Sequence, residues 1–213
     1  MLKKLFVALG ALLVTTGVAN AEERWPKWYV GISGSMPWVN DDGVSVAGAT
    51  AGNLEFDNPG WGAGASLGYK FGGTDTFLDM MRLEIEYAYR HNDVDTLAGA
   101  PVADDISVNA YMLNALFDVP TDTQFTPYLG AGIGWATAEL NLAPLAVSDE
   151  DTKFAYQGML GVSYEPMTMP NVAFSLGYRY FGMASPGYRN AAGAAVEHDY
   201  DSHNAEVGAR FSF

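Results

Sequence analysis

Residues 204–213, NAEVGARFSF, alternate strictly between two faces. Ala205, Val207, Ala209, Phe211 and Phe213 make one face, and Asn204, Glu206, Gly208, Arg210 and Ser212 make the other. A period of two held over that length specifies a β-strand with chemically different sides. The same pattern recurs along the chain, and after the N-terminal segment no window is long and apolar enough for a membrane-spanning helix. If the apolar side meets lipid, the strands must close into a ring, because a bilayer core offers no partner for open backbone amide and carbonyl groups.

Eight alternating segments are expected, at 27–36, 60–71, 81–91, 106–119, 127–140, 153–165, 171–183 and 202–213. Their connections alternate in length. Those at 72–80, 120–126 and 166–170 are short, whereas those at 37–59, 92–105, 141–152 and 184–201 are long and polar. Alternation of this kind predicts an all-β fold: an eight-stranded antiparallel up-and-down transmembrane β-barrel with four long external loops and short periplasmic turns. An even strand count places both termini on the periplasmic rim. Periodicity alone leaves a competing fold, a soluble sandwich or lipocalin, in which the apolar face would be hidden and the other wetted.

Two features favour an apolar face that points outward. The minority face carries Gly60, Gly62, Gly64, Ser66 and Gly68 on one segment and Tyr128, Gly130, Gly132, Gly134 and Ala136 on another, which suits a crowded, narrow bore. The apolar face sorts its aromatics by height. Tyr69, Phe71, Phe117, Tyr164, Phe211 and Phe213 lie toward the short turns, and Trp61, Tyr87, Tyr89, Tyr111, Trp135, Tyr156, Tyr178 and Tyr180 toward the long loops. Between them lie aliphatic residues such as Ile32, Ile85, Leu113, Ile133, Leu160 and Leu176. Aromatic girdles bracketing an aliphatic band mark two membrane interfaces.

The N-terminus sets the compartment. Lys3 and Lys4 precede an apolar run at 5–14, and Ala19-Asn20-Ala21 is a small-x-small cleavage site, the pattern of a secretory signal peptide over 1–21. The expected barrel domain is then 22–213, in a Gram-negative outer membrane. Cleavage near Ala21 removes two of the 11 basic residues and none of the 25 acidic ones, giving a net charge of 9 − 25 = −16. An acidic chain without a basic stripe excludes nucleic acid as a partner. There is no cysteine, so thiol nucleophiles and disulfide staples are both excluded, and a closed hydrogen-bond ladder must hold the fold.

Projecting the minority face inward gives Lys70, Arg82, Glu84, Glu86, Arg90, Asn114, Asp118, Gln157, Glu165, Arg179, Glu206 and Arg210. Buried charges must be paired. A lumen charge network of Arg82, Glu84, Glu86, Arg90, Arg179, Glu206 and Arg210 is therefore expected, with Arg82, Arg179 and Arg210 set against Glu84, Glu86 and Glu206. The same residues in a wider bore would form the selectivity filter of a small pore. The loops carry acid, densest at Asp149-Glu150-Asp151, and no loop has the ordered spacing of a calcium site. Asp201-Ser202-His203 brings suggestive residue types together, but neighbours on a strand point to opposite faces, so Ser202 and His203 do not make a catalytic pair. Neither a metal nor a cofactor site is expected, and the chain is read as a non-enzyme, with a lipid-modifying outer-membrane enzyme as a remote alternative.

The stretches MRLEIEYAYR from Met81, AYMLNALFDV from Ala110, PYLGAGIG from Pro127 and FAYQGMLGVSYEP from Phe154 resemble the surface-antigen and opacity-type proteins of Gram-negative bacteria, relatives of the eight-stranded OmpA transmembrane domain. The resemblance implies an outer-membrane barrel displaying variable loops, in some members described as porin-like and often immunodominant; with the barrel read as an anchor, the loops are expected to present a surface to a host or cell-surface ligand, as a surface antigen or adhesin. It implies partners in outer-membrane lipid and lipopolysaccharide. It also implies that the barrel assembly machinery reads Phe213 and Phe211 as a signal. Unlike full-length OmpA, the sequence shows no wall-binding segment after the last strand, so tethering of peptidoglycan is not expected. Trp38, Leu54, Phe56, Leu140, Leu142, Leu145 and Tyr188 are the apolar loop residues expected at an adhesive surface.

Overall fold

The computed structural model describes residues 27–39, 43–46, 49–73, 76–97, 100–142, 147–184, 187–189, 195–197 and 200–213. The signal segment 1–21, with its site at Ala21, lies outside them. Eleven strands appear among these residues: β1 (Lys27–Val39), β2 (Gly43–Val46), β3 (Ala49–Lys70), β4 (Met81–Leu97), β5 (Ala100–Asp118), β6 (Phe125–Leu142), β7 (Val147–Tyr164), β8 (Val172–Met183), β9 (Gly187–Arg189), β10 (Ala195–Glu197) and β11 (Tyr200–Ser212). Eight of them, β1, β3 to β8 and β11, pair antiparallel with their neighbours, and β1 pairs with both β3 and β11, so the sheet closes on itself.

The stagger of the barrel can be read from the register. Stepping between paired residues from Tyr29 leads through Gly68, Glu84, Asn114, Gly132, Gln157, Phe181 and Ser202 and returns to β1 at Val39, ten residues beyond the start. Ten residues of roughly 3.4 Å against a girth of eight spacings of roughly 4.8 Å tilt the strands by about 40°. That is the geometry of a small barrel whose interior is just wide enough for side chains.

The faces are inside out relative to a soluble protein. Ile32 is 69% exposed, Leu176 66% and Ile85 66%, whereas Glu86 is 4% exposed and Arg90 1%. The soluble sandwich or lipocalin requires the opposite arrangement, and the apolar surface outside needs lipid to cover it. Glycine on the inward face makes room for larger neighbours. The ring of Tyr29 lies where a Cβ on Gly68 would stand, and the side chain of Asn114 occupies the equivalent space at Gly132.

The strands extend past their expected ends at the long-loop rim. β3 starts at Ala49 and not at residue 60, β4 continues to Leu97 and not 91, β5 starts at Ala100 and not 106, and β7 starts at Val147 and not 153. Outside the bilayer both faces of a hairpin are wet, so hydropathy stops alternating while the backbone ladder, which needs no particular side chains, carries on. Much of the expected loop content is therefore strand: Leu54 and Phe56 belong to β3, Leu140 and Leu142 to β6, Trp38 to β1 and Tyr188 to β9, while Leu145 lies outside the described residues. The first and last long connections also join each other, because β2 pairs with β3 and with β10, and β10 pairs with β9. At the other rim the ends move by a residue or so, and a short 310 turn, Phe77–Met80, leads into β4.

Side-chain hydrogen bonds extend the ladder where register breaks. Pairing of β3 with β4 is interrupted between Asp57 and Trp61. There Asn58 takes over: its Oδ1 accepts from the Val39 amide at 3.0 Å and its Nδ2 donates to the Val39 carbonyl at 3.1 Å. The amide group thus imitates a backbone rung between β3 and the end of β1.

Candidate functional site in the barrel lumen

The interior fills in layers from the short-turn rim. In the first, Arg82 on β4 meets Asp118 on β5 through Nε at 3.0 Å and Nη2 at 2.9 Å, and Lys70 on β3 approaches the other Asp118 oxygen at 3.4 Å. Arg82 also reaches Glu84 at 3.2 Å, and the Tyr29 hydroxyl donates to the same Glu84 oxygen at 2.6 Å. Tyr128 lies beneath the Arg82 guanidinium, 5.5 Å from ring centre to Cζ. Arg210 binds Glu165 and Ser163. The sequence expectation set Arg210 against the glutamates of the mid-lumen, but the strand tilt brings it to the acidic residue ending the β7 side at the rim.

The second layer crosses the bore. Arg179 on β8 donates from Nη1 to Glu86 at 2.7 Å and to the Gln157 side-chain oxygen at 3.0 Å, and from Nε to Glu206 at 3.0 Å. Glu86 in turn accepts from Asn114 at 2.7 Å and Gln157 at 3.0 Å, and Gln157 also donates to Asn114 at 2.7 Å. Side chains from β4, β5, β7, β8 and β11 are thus joined in one network, and both Glu86 oxygens are satisfied. A buried ion pair is tolerated on this condition.

Arg90 stands apart. It is fully buried, its Nε and Nη1 make no hydrogen bond, and its guanidinium sits 4.1 Å over the centre of the Phe181 ring. Arg179 is shared between two carboxylates, Glu86 and Glu206, so the second layer carries one negative charge in excess, which Arg90 balances from above. Toward the long loops the lumen is largely apolar, with Asn92 and Ser202 among its buried residues. Val94, Ile106, Val108, Ala110, Met112, Ala136, Ala138, Ala155, Phe181 and Met183 form one buried cluster with Val39 and Tyr200. Sequence reasoning assigned the interior to charge and missed this plug, because β5 is apolar on both faces over much of its length and its inward residues do not announce themselves. A cavity of about 80 Å³ lies in the short-turn half of the bore, bordered by Arg82, Glu84, Glu86, Arg179, Glu206 and Arg210. It has room for a few waters.

The outward aromatics lie in two bands. Near the short turns, Trp28 packs edge-on against Tyr69 at 5.0 Å, Tyr69 against Phe71 at 5.1 Å, and Phe125 against Tyr164 at 5.1 Å. Phe117, Phe211 and Phe213 share the same face, and the Phe213 amide donates to the Trp28 carbonyl at 2.9 Å across the closing seam. Toward the long loops, Trp61 meets Tyr89 at 5.3 Å, Tyr87 meets Tyr111 at 5.2 Å, and Tyr156 meets Tyr180 at 6.2 Å, with Trp135 and Tyr178 on the same face. Phe125 and Phe154 also belong to this outer surface and were absent from the sequence assignment. Ser202 is buried in the lumen whereas His203 lies outside against Tyr178 and Tyr180, so the two do face opposite ways.

A closed eight-stranded ring, an apolar exterior and an interior of paired charge are accompanied by a match to the family model for the outer membrane protein beta-barrel domain over residues 6–213. The chain belongs to that family. It is 27% identical to the outer membrane protein PagN of Salmonella typhimurium over 162 residues, covering 67% of this chain and 66% of PagN. It is 30% identical to major surface antigen 4 of Anaplasma marginale over 122 residues, covering 52% of this chain and 40% of that protein. The chain therefore spans between about two fifths and two thirds of these curated relatives. Among solved structures, Neisserial surface protein A superposes with a TM-score of 0.58 at 21% identity, covering 87% of this chain and 97% of that one, a likeness of fold. The family's β-barrel places the protein in the outer membrane, with its exposed aliphatic band in lipid.

Proposed function

We propose that this outer membrane β-barrel protein is a surface antigen and adhesin: the barrel is an anchor, and the hairpins of the long-loop rim, turned to the cell exterior, engage a host or cell-surface ligand. The observation that carries this reading is the filled lumen. Among the described residues, ion pairs, the Arg90 and Phe181 layer and the apolar plug occupy much of the bore, which supports a role for the elements at the rim. The resemblance of the sequence to surface antigens supports the same reading. Replacing the long connections 92–105 and 141–152 by tight turns is expected to abolish adhesion to host-cell monolayers while the barrel still shows heat-modifiable migration. Unchanged adhesion by such a barrel would overturn the adhesin reading.

The porin-like alternative makes a different prediction. A plugged lumen is expected to give no discrete stable openings in planar bilayers and no swelling of sugar-loaded liposomes. Reproducible unit conductance from the intact protein would favour the pore. Outer-membrane lipid, lipopolysaccharide and the barrel assembly machinery are the remaining partners proposed. A lipid-modifying enzyme would show lipid A deacylation or palmitoylation that disappears on His203→Ala, and Ser202 lies on the opposite side of the wall from that histidine.

A further inference from the structure

Seven of the eight barrel strands set an outward Trp or Tyr near the long-loop end: Trp38, Trp61, Tyr89, Tyr111, Trp135, Tyr156 and Tyr180, on β1 and β3 to β8 in turn. On β11 the place is taken by His203, which is register-paired with Trp38 on one side and Tyr180 on the other. The Tyr178 hydroxyl lies 2.5 Å from its Nδ1, and the Tyr180 ring centre 5.4 Å from its own. The barrel wall supplies a second observation. Lys70, Arg82, Arg90, Lys153, Arg179 and Arg210, the lysines and arginines whose side chains are described, all occupy inward registers. Among the described residues, the outward face therefore has two side chains able to become cationic, His91 and His203. His91 already has a carboxylate, its Nε2 lying 3.4 Å from Asp93.

We propose that His203, framed by Trp38, Tyr178 and Tyr180, is a contact site for the phosphate of a lipid headgroup in the leaflet at the long-loop rim. The aromatic band is the depth at which headgroups lie, and their phosphate is an anion facing a wall that, among the described residues, offers one other side chain able to become cationic, His91. With the Tyr178 hydroxyl donating to Nδ1, the ring proton sits on Nε2, and that N–H donates to a phosphate oxygen. Asp201 lies on the same strand and face, with Tyr178 and Tyr180 on β8 and Tyr156 beyond them.

The proposal rests on the membrane assignment of this rim, and the test separates the two. Wild-type barrel in nanodiscs of a phosphate-free glycolipid is doped with lipid A or with its dephosphorylated form, and the lipid retained is counted by native mass spectrometry. Retention of the phosphorylated lipid is expected to exceed that of the dephosphorylated one roughly threefold, the size of one partly exposed charged contact. The excess should vanish in His203→Gln and persist in His91→Gln. On the wild type alone, added lipid A should shift the His203 Nε2 nitrogen resonance. Equal retention of the two lipids by wild type, or an undiminished excess in a heat-modifiable His203→Gln barrel, would overturn the site. Nanodiscs carry the same lipid in both leaflets, so the result is independent of which rim faces outward in the cell; surface biotinylation of the long-loop hairpins decides that separately.

Discussion

Arg179→Ala is expected to cost the folded barrel about 3–5 kcal/mol, the penalty of stranding buried charge. The Arg179 guanidinium holds Glu86 at 2.7 Å and Glu206 at 3.0 Å, and both carboxylates are largely enclosed by the wall. Without it Glu86 keeps Asn114 and Gln157 as donors, but Glu206 loses the one ion pair it has among the described residues. Two like charges then share a narrow, largely enclosed bore. Urea unfolding in lipid vesicles, followed by tryptophan fluorescence, measures the loss. A second variant makes the cause explicit: adding Glu206→Gln to Arg179→Ala removes one of the two charges and should recover a substantial part of the stability. If the double variant is no better than the single one, lost packing of the long arginine side chain, and not uncompensated charge, accounts for the cost.

Phe213→Ser is expected to have its large effect elsewhere, on assembly in the cell. In the finished barrel Phe213 contributes one backbone hydrogen bond across the seam and a half-exposed ring beside Trp28. The substitution keeps the backbone bond, and replacing a half-exposed ring costs on the order of 1–2 kcal/mol, too little to unfold a closed barrel. The expected result is therefore a split: refolding of the purified variant into detergent close to wild type, together with loss of most heat-modifiable protein from the outer-membrane fraction of cells. Phe211→Ser, two residues earlier on the same face, should show a milder form of the same split. Equal impairment in the tube and in the cell would make Phe213 a structural residue and remove its role as a signal read by the assembly machinery.

How much of this was legible in the sequence depended on which property needed only local information. The phase of each strand, which residues face lipid and which face the bore, follows from a period of two, and Ile32, Ile85 and Leu176 could be placed outside without any partner strand. Strand ends at the long-loop rim could not be read this way. Residues 92–97 and 100–105 form a ladder through their backbones while their side chains follow no hydropathy rule. Partner choice inside the bore was also out of reach. Arg82 pairs in register with Leu116 yet forms its ion pair with Asp118, because a long side chain on a tilted strand leans along its neighbour. The apolar plug was hidden for a third reason. On β5, Ala110 and Met112 face in while Tyr111 and Leu113 face out, so alternation in space leaves no alternation in polarity. Tyr29 and Phe181, which touch Glu84 and Arg90, were invisible as interior residues for the same reason.

The ten-residue stagger also bears on how the last strand finds its place. Sliding β11 along β1 by one residue would turn every side chain to the wrong face, which the pattern of the strand forbids outright. Sliding by two would keep every face correct and would satisfy the hydrophobic pattern equally well, yet it would change the stagger to eight or twelve and with it the girth of the wall. A narrower wall has no room for the Phe181 ring beneath Arg90, and a wider one leaves Arg179 short of Glu86 or Glu206. The contents of the lumen thus act as a gauge for the seam: they reject the mispaired closures that the outer surface, being uniform in its alternation, would accept.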